Sequence, residues 1–313
     1  MNTEENGEDH NLSSGNVYFF KSFADLQIAL PLPIPSVDAT QYERVFAGVR
    51  DSVALTAAGE LEYICEKNFQ SSNGHLSRWK PDAAIVVDAA CGFRHVVALD
   101  SLNRVWTWGS NVRGALGRSL HESMAHDAQP GLVVFGGSLK DVRWVEVNSG
   151  WSHVVIRGVR SDGTTVFAGW GRSDMGQLPR DGSQLSAPEK RTLLPICLNK
   201  LPGGHHFTDV WTAAESTFAT DEGGLLWSSG WNEHGNLGTG DCENRATWSQ
   251  VSTANKNGQL RQIRLALRNC AEAFACSGSH CFAIIDCSAV DDNEVRRDSF
   301  TAVAPNAIDT VSK

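Results

Sequence analysis

Apolar residues fall in short runs separated by compact polar turns. Val96-Val97-Ala98-Leu99 and Val105-Trp106-Thr107-Trp108 flank the turn Asp100-Ser101-Leu102-Asn103-Arg104. Val154-Val155-Ile156 precedes Val166-Phe167-Ala168 in the same manner. Further on, the run ending at Thr220 and the run beginning at Leu226 flank Asp221-Glu222-Gly223-Gly224. Apolar and β-branched runs joined by such turns predict β-hairpins.

The hairpins belong to an internal repeat. Cys91-Gly92-Phe93-Arg94-His95 opens one copy and Ser149-Gly150-Trp151-Ser152-His153 the next, while the third runs from Ala213. The copies start roughly 60 residues apart, within the range of radially repeated sheets. Each second run ends in a glycine-rich corner, Gly109 to Gly117 or Gly230 to Gly238, where glycine supplies positive φ. Trp106 and Trp108, two residues apart, share one strand face and are expected to be buried between sheets.

The recurring histidines His95, His153 and His280 hold equivalent places, with Asp51 and Ser216 in the other copies. A histidine at a strand start bonds a neighbouring turn through either ring nitrogen, so a repeated structural task is expected. The two chain ends carry incomplete copies. Cys276 to Ile285 is a first half, and Val17 to Ile28 is a degenerate second half, with Tyr18, Phe20 and Ser22 in the places of Trp106, Trp108 and Ser110. Pairing of these halves would close a ring and remove open sheet edges. Ala47 to Ile64 is a further copy without the Trp-Gly pair. Counting halves gives about five blades, and a weak extra one between Cys65 and Asp88 or in the connections would give six or seven.

These residues resemble the regulator of chromosome condensation repeat family. Its repeats read Cys-Gly-x-x-His-x-x-Ala-Leu, then Val-x-x-Trp-Gly-x-Asn-x-x-Gly-x-Leu-Gly, which residues 91–117 match nearly throughout. The resemblance implies an all-β fold, a closed β-propeller over 17–286, with polar tails at 1–16 and 287–313 expected to be disordered. It also implies a choice of roles. Relatives with little beyond one propeller resemble either the alpha-tubulin suppressor type, which partners a small zinc protein in the Elongator and diphthamide pathways, or the partner of a Jumonji-class oxygenase. Other members are exchange factors for small GTPases.

Composition narrows the choice. The net charge is −9, and a nucleic-acid binder needs a basic face to neutralise phosphates. No apolar run reaches the ~18 residues of a membrane helix, and the acidic first ten residues resemble no secretory signal, so cytosol or nucleus is expected. The 8 cysteines are then expected to be reduced. Cys270, Cys276, His280, Cys281 and Cys287 cluster in sequence but form no Cys-x-x-Cys pair, so packing between blades is expected rather than zinc.

Catalytic and cofactor motifs are missing: no phosphate loop, G-x-G-x-x-G, G-x-S-x-G or H-E-x-x-H. Ser152 and His153 are neighbours in a strand and point to opposite faces. No enzymatic role and no cofactor are expected; a protein-binding surface is. Loop positions that vary on a repeated frame are where specificity resides, and aromatic and arginine side chains are the usual anchors. Phe93, Arg94 and Trp151 are therefore the first candidates, with Trp231 and His234 in a corner loop next. Trp151 and Trp231 have gap filling between blades as the alternative reading. For nucleotide exchange, the acidic stretches Asp181-Gly182-Ser183 and Asp241-Cys242-Glu243 are the candidate loops. The connections 118–143 and 179–206 exceed hairpin lengths and are candidate docking insertions.

Overall fold

A computed structural model describes residues 18–19, 32–33, 42–65, 77–120, 125–180, 191–198, 202–254, 260–262, 274–277 and 280–283. The fold is all-β. Among the described residues, four complete antiparallel four-stranded sheets, here blades I to IV, follow one another along the chain. Strands a to d of blade I are Tyr42–Ala47, Asp51–Thr56, Leu61–Cys65 and Ser77–Trp79. Blade II uses Val86–Cys91, His95–Asp100, Val105–Ser110 and His126–Leu132. Blade III uses Arg143–Ser149, His153–Val159, Thr165–Arg172 and Arg191–Cys197. Blade IV uses Phe207–Thr212, Ser216–Asp221, Leu226–Gly230 and Arg245–Gln250.

The expected hairpins are strands b and c. Their register pairs His95 with Gly109, His153 with Gly171 and Ser216 with Gly230, so the copies superpose as the sequence predicts. The connections 118–143 and 179–206 are a correction. Each contains an outer strand d, and so does the segment between Cys65 and Asp88, where an extra blade was an option. These strands escape a hydrophobic-pattern search because they are sheet edges with largely exposed side chains. Pro130 and Pro195 lie in register shifts of strand d in blades II and III. An edge strand at a bulge tolerates a residue without an N–H.

The core lies between blades. Val97, Leu99 and Val105 of blade II pack with Trp144, Val147, Ile156 and Trp170 of blade III. Trp79 of blade I meets both Trp106 and Trp108 of blade II, at ring distances of 5.4 and 5.1 Å, so the two tryptophans do share a face against a neighbouring sheet. Trp170 is fully buried, and its indole donates to the Ala115 carbonyl one blade back at 2.9 Å. Polar staples add to this. Asp88 in strand a of blade II pairs with Arg44 of blade I at 2.8 Å and accepts the Val147 N–H of blade III at 2.9 Å.

Three two-stranded pairs complete the described residues. Phe274–Ser277 pairs with His280–Ala283, the expected first half-repeat, and Ser252–Ala254 pairs with Leu260–Gln262. Tyr18–Phe19 pairs with Leu32–Pro33. Phe20, Ser22 and the rest of the predicted terminal half-blade lie outside the described residues, as do the tails 1–16 and 287–313.

Candidate partner-binding face

The a–b turn of every blade is the same four-residue device. The first residue donates its N–H to the carbonyl of the fourth, from Gly48 to Asp51, Gly92 to His95, Gly150 to His153 and Ala213 to Ser216, at 2.8–2.9 Å. Glycine comes first in blades II and III because the histidine ring folds over it. A Cβ on Gly92 would stand 2.0 Å from His95 Cε1, and one on Gly150 2.2 Å from His153 Cε1. Blade IV has serine in the fourth place, and Ala213 fits.

Both histidines are buried and bridge to the next blade. His95 Nε2 lies 2.9 Å from Ser149 Oγ, and His153 Nε2 lies 3.1 Å from Thr217 Oγ1. Burial disfavours the charged ring and pushes His95 down to about 4 and His153 to about 3. Ser152 takes no part in the His153 bond. The ring is a neutral strut, as the repeat predicts; the side chain of His280 lies outside the described residues.

The two middle residues of each turn differ from blade to blade, exposed or half-buried in blades I to III and buried in blade IV. They are Val49-Arg50, Phe93-Arg94, Trp151-Ser152 and Ala214-Glu215. Their backbones are tied across blades. Val49 N–H donates to Gly92 O at 3.3 Å, Phe93 N–H to Trp151 O at 2.8 Å, and Trp151 N–H to Ala214 O at 2.7 Å. Trp151 is 42% exposed and meets Phe93 edge-on at 6.2 Å. Arg50 lies over the other side of the row, 6.0 Å from the Phe93 ring centre. Arg94 is exposed. Trp151 thus leaves part of its ring open while packing its other part on Phe93.

The c–d corners emerge at the same end of the antiparallel sheets as the a–b turns. Their first residues bond directly to those turns: Ser110 N–H to Arg94 O, Arg172 N–H to Ser152 O and Trp231 N–H to Glu215 O, at 2.7–2.9 Å. The glycine before each of them is forced. Gly109, Gly171 and Gly230 have φ of +102°, +103° and +120°, and a Cβ would stand 2.4–2.5 Å from those same carbonyl oxygens. Trp231 is half-buried and meets exposed His234 edge-on at 4.9 Å. All five candidates, Phe93, Arg94, Trp151, Trp231 and His234, therefore sit on one face. Val49 and Arg50 are members the sequence reading missed, although Gly48-Val49-Arg50-Asp51 has the right spacing.

An ion network divides this face. Arg172 binds Asp174 at 2.6 Å and Glu215 at 2.8 Å; Arg113 reaches Asp174 at 3.3 Å, and Gln177 Nε2 donates to Glu215 at 2.7 Å. Hydrogen bonding from the Arg172 guanidinium helps hold the Asp174 carboxyl below its usual range, against the opposing effect of burial. Of the acidic exchange-loop candidates, Asp181 to Ser183 lies outside the described residues. Asp241 is engaged within its own corner, bonding Arg245 and accepting the Glu243 N–H at 3.0 Å.

Among the described residues, no three of His, Cys, Asp and Glu gather as a metal site. Cys91 is buried in the core between blades I and II, where desolvation raises its thiol to about 12. Cys281 packs on the Phe218 and Leu237 cluster. Among the described residues no helix is long and apolar enough to cross a membrane.

Comparison with known proteins bears on the repeat and the fold. Profiles of the "Regulator of chromosome condensation (RCC1) repeat" match residues 86–115 and 103–156. The chain is 31% identical over 227 residues to the secretion-regulating guanine nucleotide exchange factor of Bos taurus, covering 63% of this chain and 45% of that protein. It is 27% identical over 205 residues to the E3 ubiquitin-protein ligase HERC2 of Homo sapiens, covering 63% of this chain and 4% of that protein. The chain thus spans less than half of either relative. Among solved structures, human WBSCR16 superposes with a TM-score of 0.58 at 17% identity, covering 82% of this chain and 76% of that one; this likeness concerns the fold.

Proposed function

We propose that this chain, which belongs to the regulator of chromosome condensation repeat family of β-propellers, acts without chemistry of its own by docking a protein partner on its a–b/c–d face. The observation that carries this reading is the gathering of Phe93, Arg94, Trp151, Trp231 and His234 at one end of the blades. Exposed aromatics and arginine on a rigid frame are the composition of binding hot spots. The buried histidines, by contrast, are occupied in bridging blades. The resemblance to single-propeller relatives makes a small zinc protein of the Elongator and diphthamide pathways, or a Jumonji-class oxygenase, the first partner classes to look for.

The test is affinity purification of the tagged chain beside its Trp151→Ala variant. Loss of the recovered partner with an unchanged melting temperature is the expected result. Retention of the partner by a Trp151→Ala, Trp231→Ala double variant would overturn the reading.

A second reading is guanine-nucleotide exchange, favoured by the relative whose name carries that activity. Exchange requires preferential binding to the nucleotide-free state of a GTPase. Release of labelled nucleotide across a panel of small GTPases checks it, and no acceleration would remove it.

A further inference from the structure

Resting on the reading of this face as a docking surface, we infer that its occupant is an acidic peptide segment carrying apolar side chains, seated on the turns of blades I to III and not on blade IV. The two middle places of the a–b turn carry the argument. The second place reads Arg50, Arg94, Ser152, Glu215 around the ring, so its charge passes from positive through neutral to negative. The first place reads Val49, Phe93, Trp151, Ala214; Val49 is 47% exposed and Trp151 42%, while Ala214 is buried. Apolar surface therefore runs over the first three blades, positive charge lies beside it on the first two, and both are missing from this turn on the fourth.

The charges also differ in how they are engaged. Glu215 is held by Arg172 and Gln177, and Asp174 by Arg172 and Arg113, so that side is neutralised within the molecule. Arg94 is exposed and has no carboxylate partner among the described residues. Arg50 lies 6.0 Å from the Phe93 ring centre, so a second positive charge stands beside the same aromatic surface. Backbone bonds from Phe93 to Trp151 and from Trp151 to Ala214 fix the row before binding, which lowers the ordering cost. A nucleic acid would also bring negative charge and stacking bases. Two arginines on a chain of net charge −9 give it little counterion release to gain, and exposed Val49 offers no stacking plane.

The test uses the full chain and three labelled probes read by fluorescence anisotropy: a peptide alternating glutamate with phenylalanine and leucine, its lysine-for-glutamate counterpart, and a single-stranded oligonucleotide. The acidic peptide is expected to bind, with affinity falling as salt rises. Arg94→Glu is expected to weaken it about tenfold or more, Arg94→Lys much less, and the charge-matched Lys140→Glu, exposed at the opposite end of the blades, hardly at all. Equal binding of the lysine peptide or the oligonucleotide, or indifference to Arg94→Glu, overturns the inference. The same variants in partner purification separate it from the broader reading. If Trp151→Ala loses the partner and Arg94→Glu keeps it, the face docks a partner but not through acidic groups. If both variants keep it, both readings fall.

Discussion

In blade II the b–c turn is organised by Asp100, which accepts the N–H groups of Leu102 and Arg104 and holds the Trp106 indole at 2.9 Å. In blade IV Asp221 does the same for Gly223, Leu225 and the Trp227 indole at 3.0 Å. At the opposite end, Gly109 and Gly230 make the same positive-φ corner under the preceding turn. Elsewhere the two blades part. Asp100 also accepts from the Arg104 guanidinium at 2.6 Å, whereas Asp221 lies 3.0 Å from the His205 ring. Blade II has Gly92 with His95 where blade IV has Ala213 with Ser216, and Phe93-Arg94 where blade IV has Ala214-Glu215. A position stays fixed when changing it would strand a buried polar group or drive a Cβ into backbone. Glycine and histidine change together because one makes room for the other. The middle pair meets neither constraint in blade II, where Arg94 is exposed, whereas in blade IV Glu215 is buried and held by Arg172 and Gln177.

The strongest test of that common frame is the corner glycine. Gly109→Ala and Gly230→Ala are each expected to lose about 3 kcal/mol or more, combining φ strain with a clash against a fixed carbonyl. Urea unfolding of the two variants should give similar losses, and a tolerant blade IV would break the equivalence.

Acid is expected to distinguish the blades next. His95 and His153 have folded values of about 4 and about 3, below the ordinary ~6.5 of an unfolded chain. The unfolded state therefore binds more protons between those values. The stabilisation is fully present above pH ~6.5 and is lost as pH falls toward about 4, by up to ~1.4 kcal/mol per pH unit for each ring. His95→Ser, which gives blade II the serine of blade IV, should remove about half of this slope in unfolding measured from pH 7.5 to 5.

Gly92→Ala is expected to cost about 1–3 kcal/mol by overpacking against the His95 ring. Adding His95→Ser should return about 1 kcal/mol of that as coupling energy in a double-mutant cycle, whereas additive losses would show that the pair is independent. Smallest is the middle pair of blade II. Arg94→Ala should change stability by no more than about 0.5 kcal/mol, read by the same unfolding curves.

Much of this was legible in the sequence. Hairpin positions, the equivalence of His95, His153 and Ser216, and the corner glycines all follow from local spacing, because each is set within a few residues. The outer strands were not legible. His126–Leu132 and Arg191–Cys197 present polar side chains and a proline, since an edge needs neither alternation nor a complete ladder. Val49 and Arg50 lie in a copy the sequence does reveal, but that their turn stands beside Gly92 and Phe93 appears only when the blades are assembled. The bond from Arg172 to Glu215 joins residues 43 apart in the chain, a pairing that only the ring of blades creates. Placing all five candidates on one face likewise required the strand order.

The Asp88 staple has a consequence for how the molecule opens. The Val147 amide is sealed by a carboxylate from another blade rather than by its own sheet. Deuterium can enter there when blades II and III separate, even while each sheet stays intact. Its exchange rate, set beside that of ladder amides within blade III, would measure how far the blades part before any of them melts.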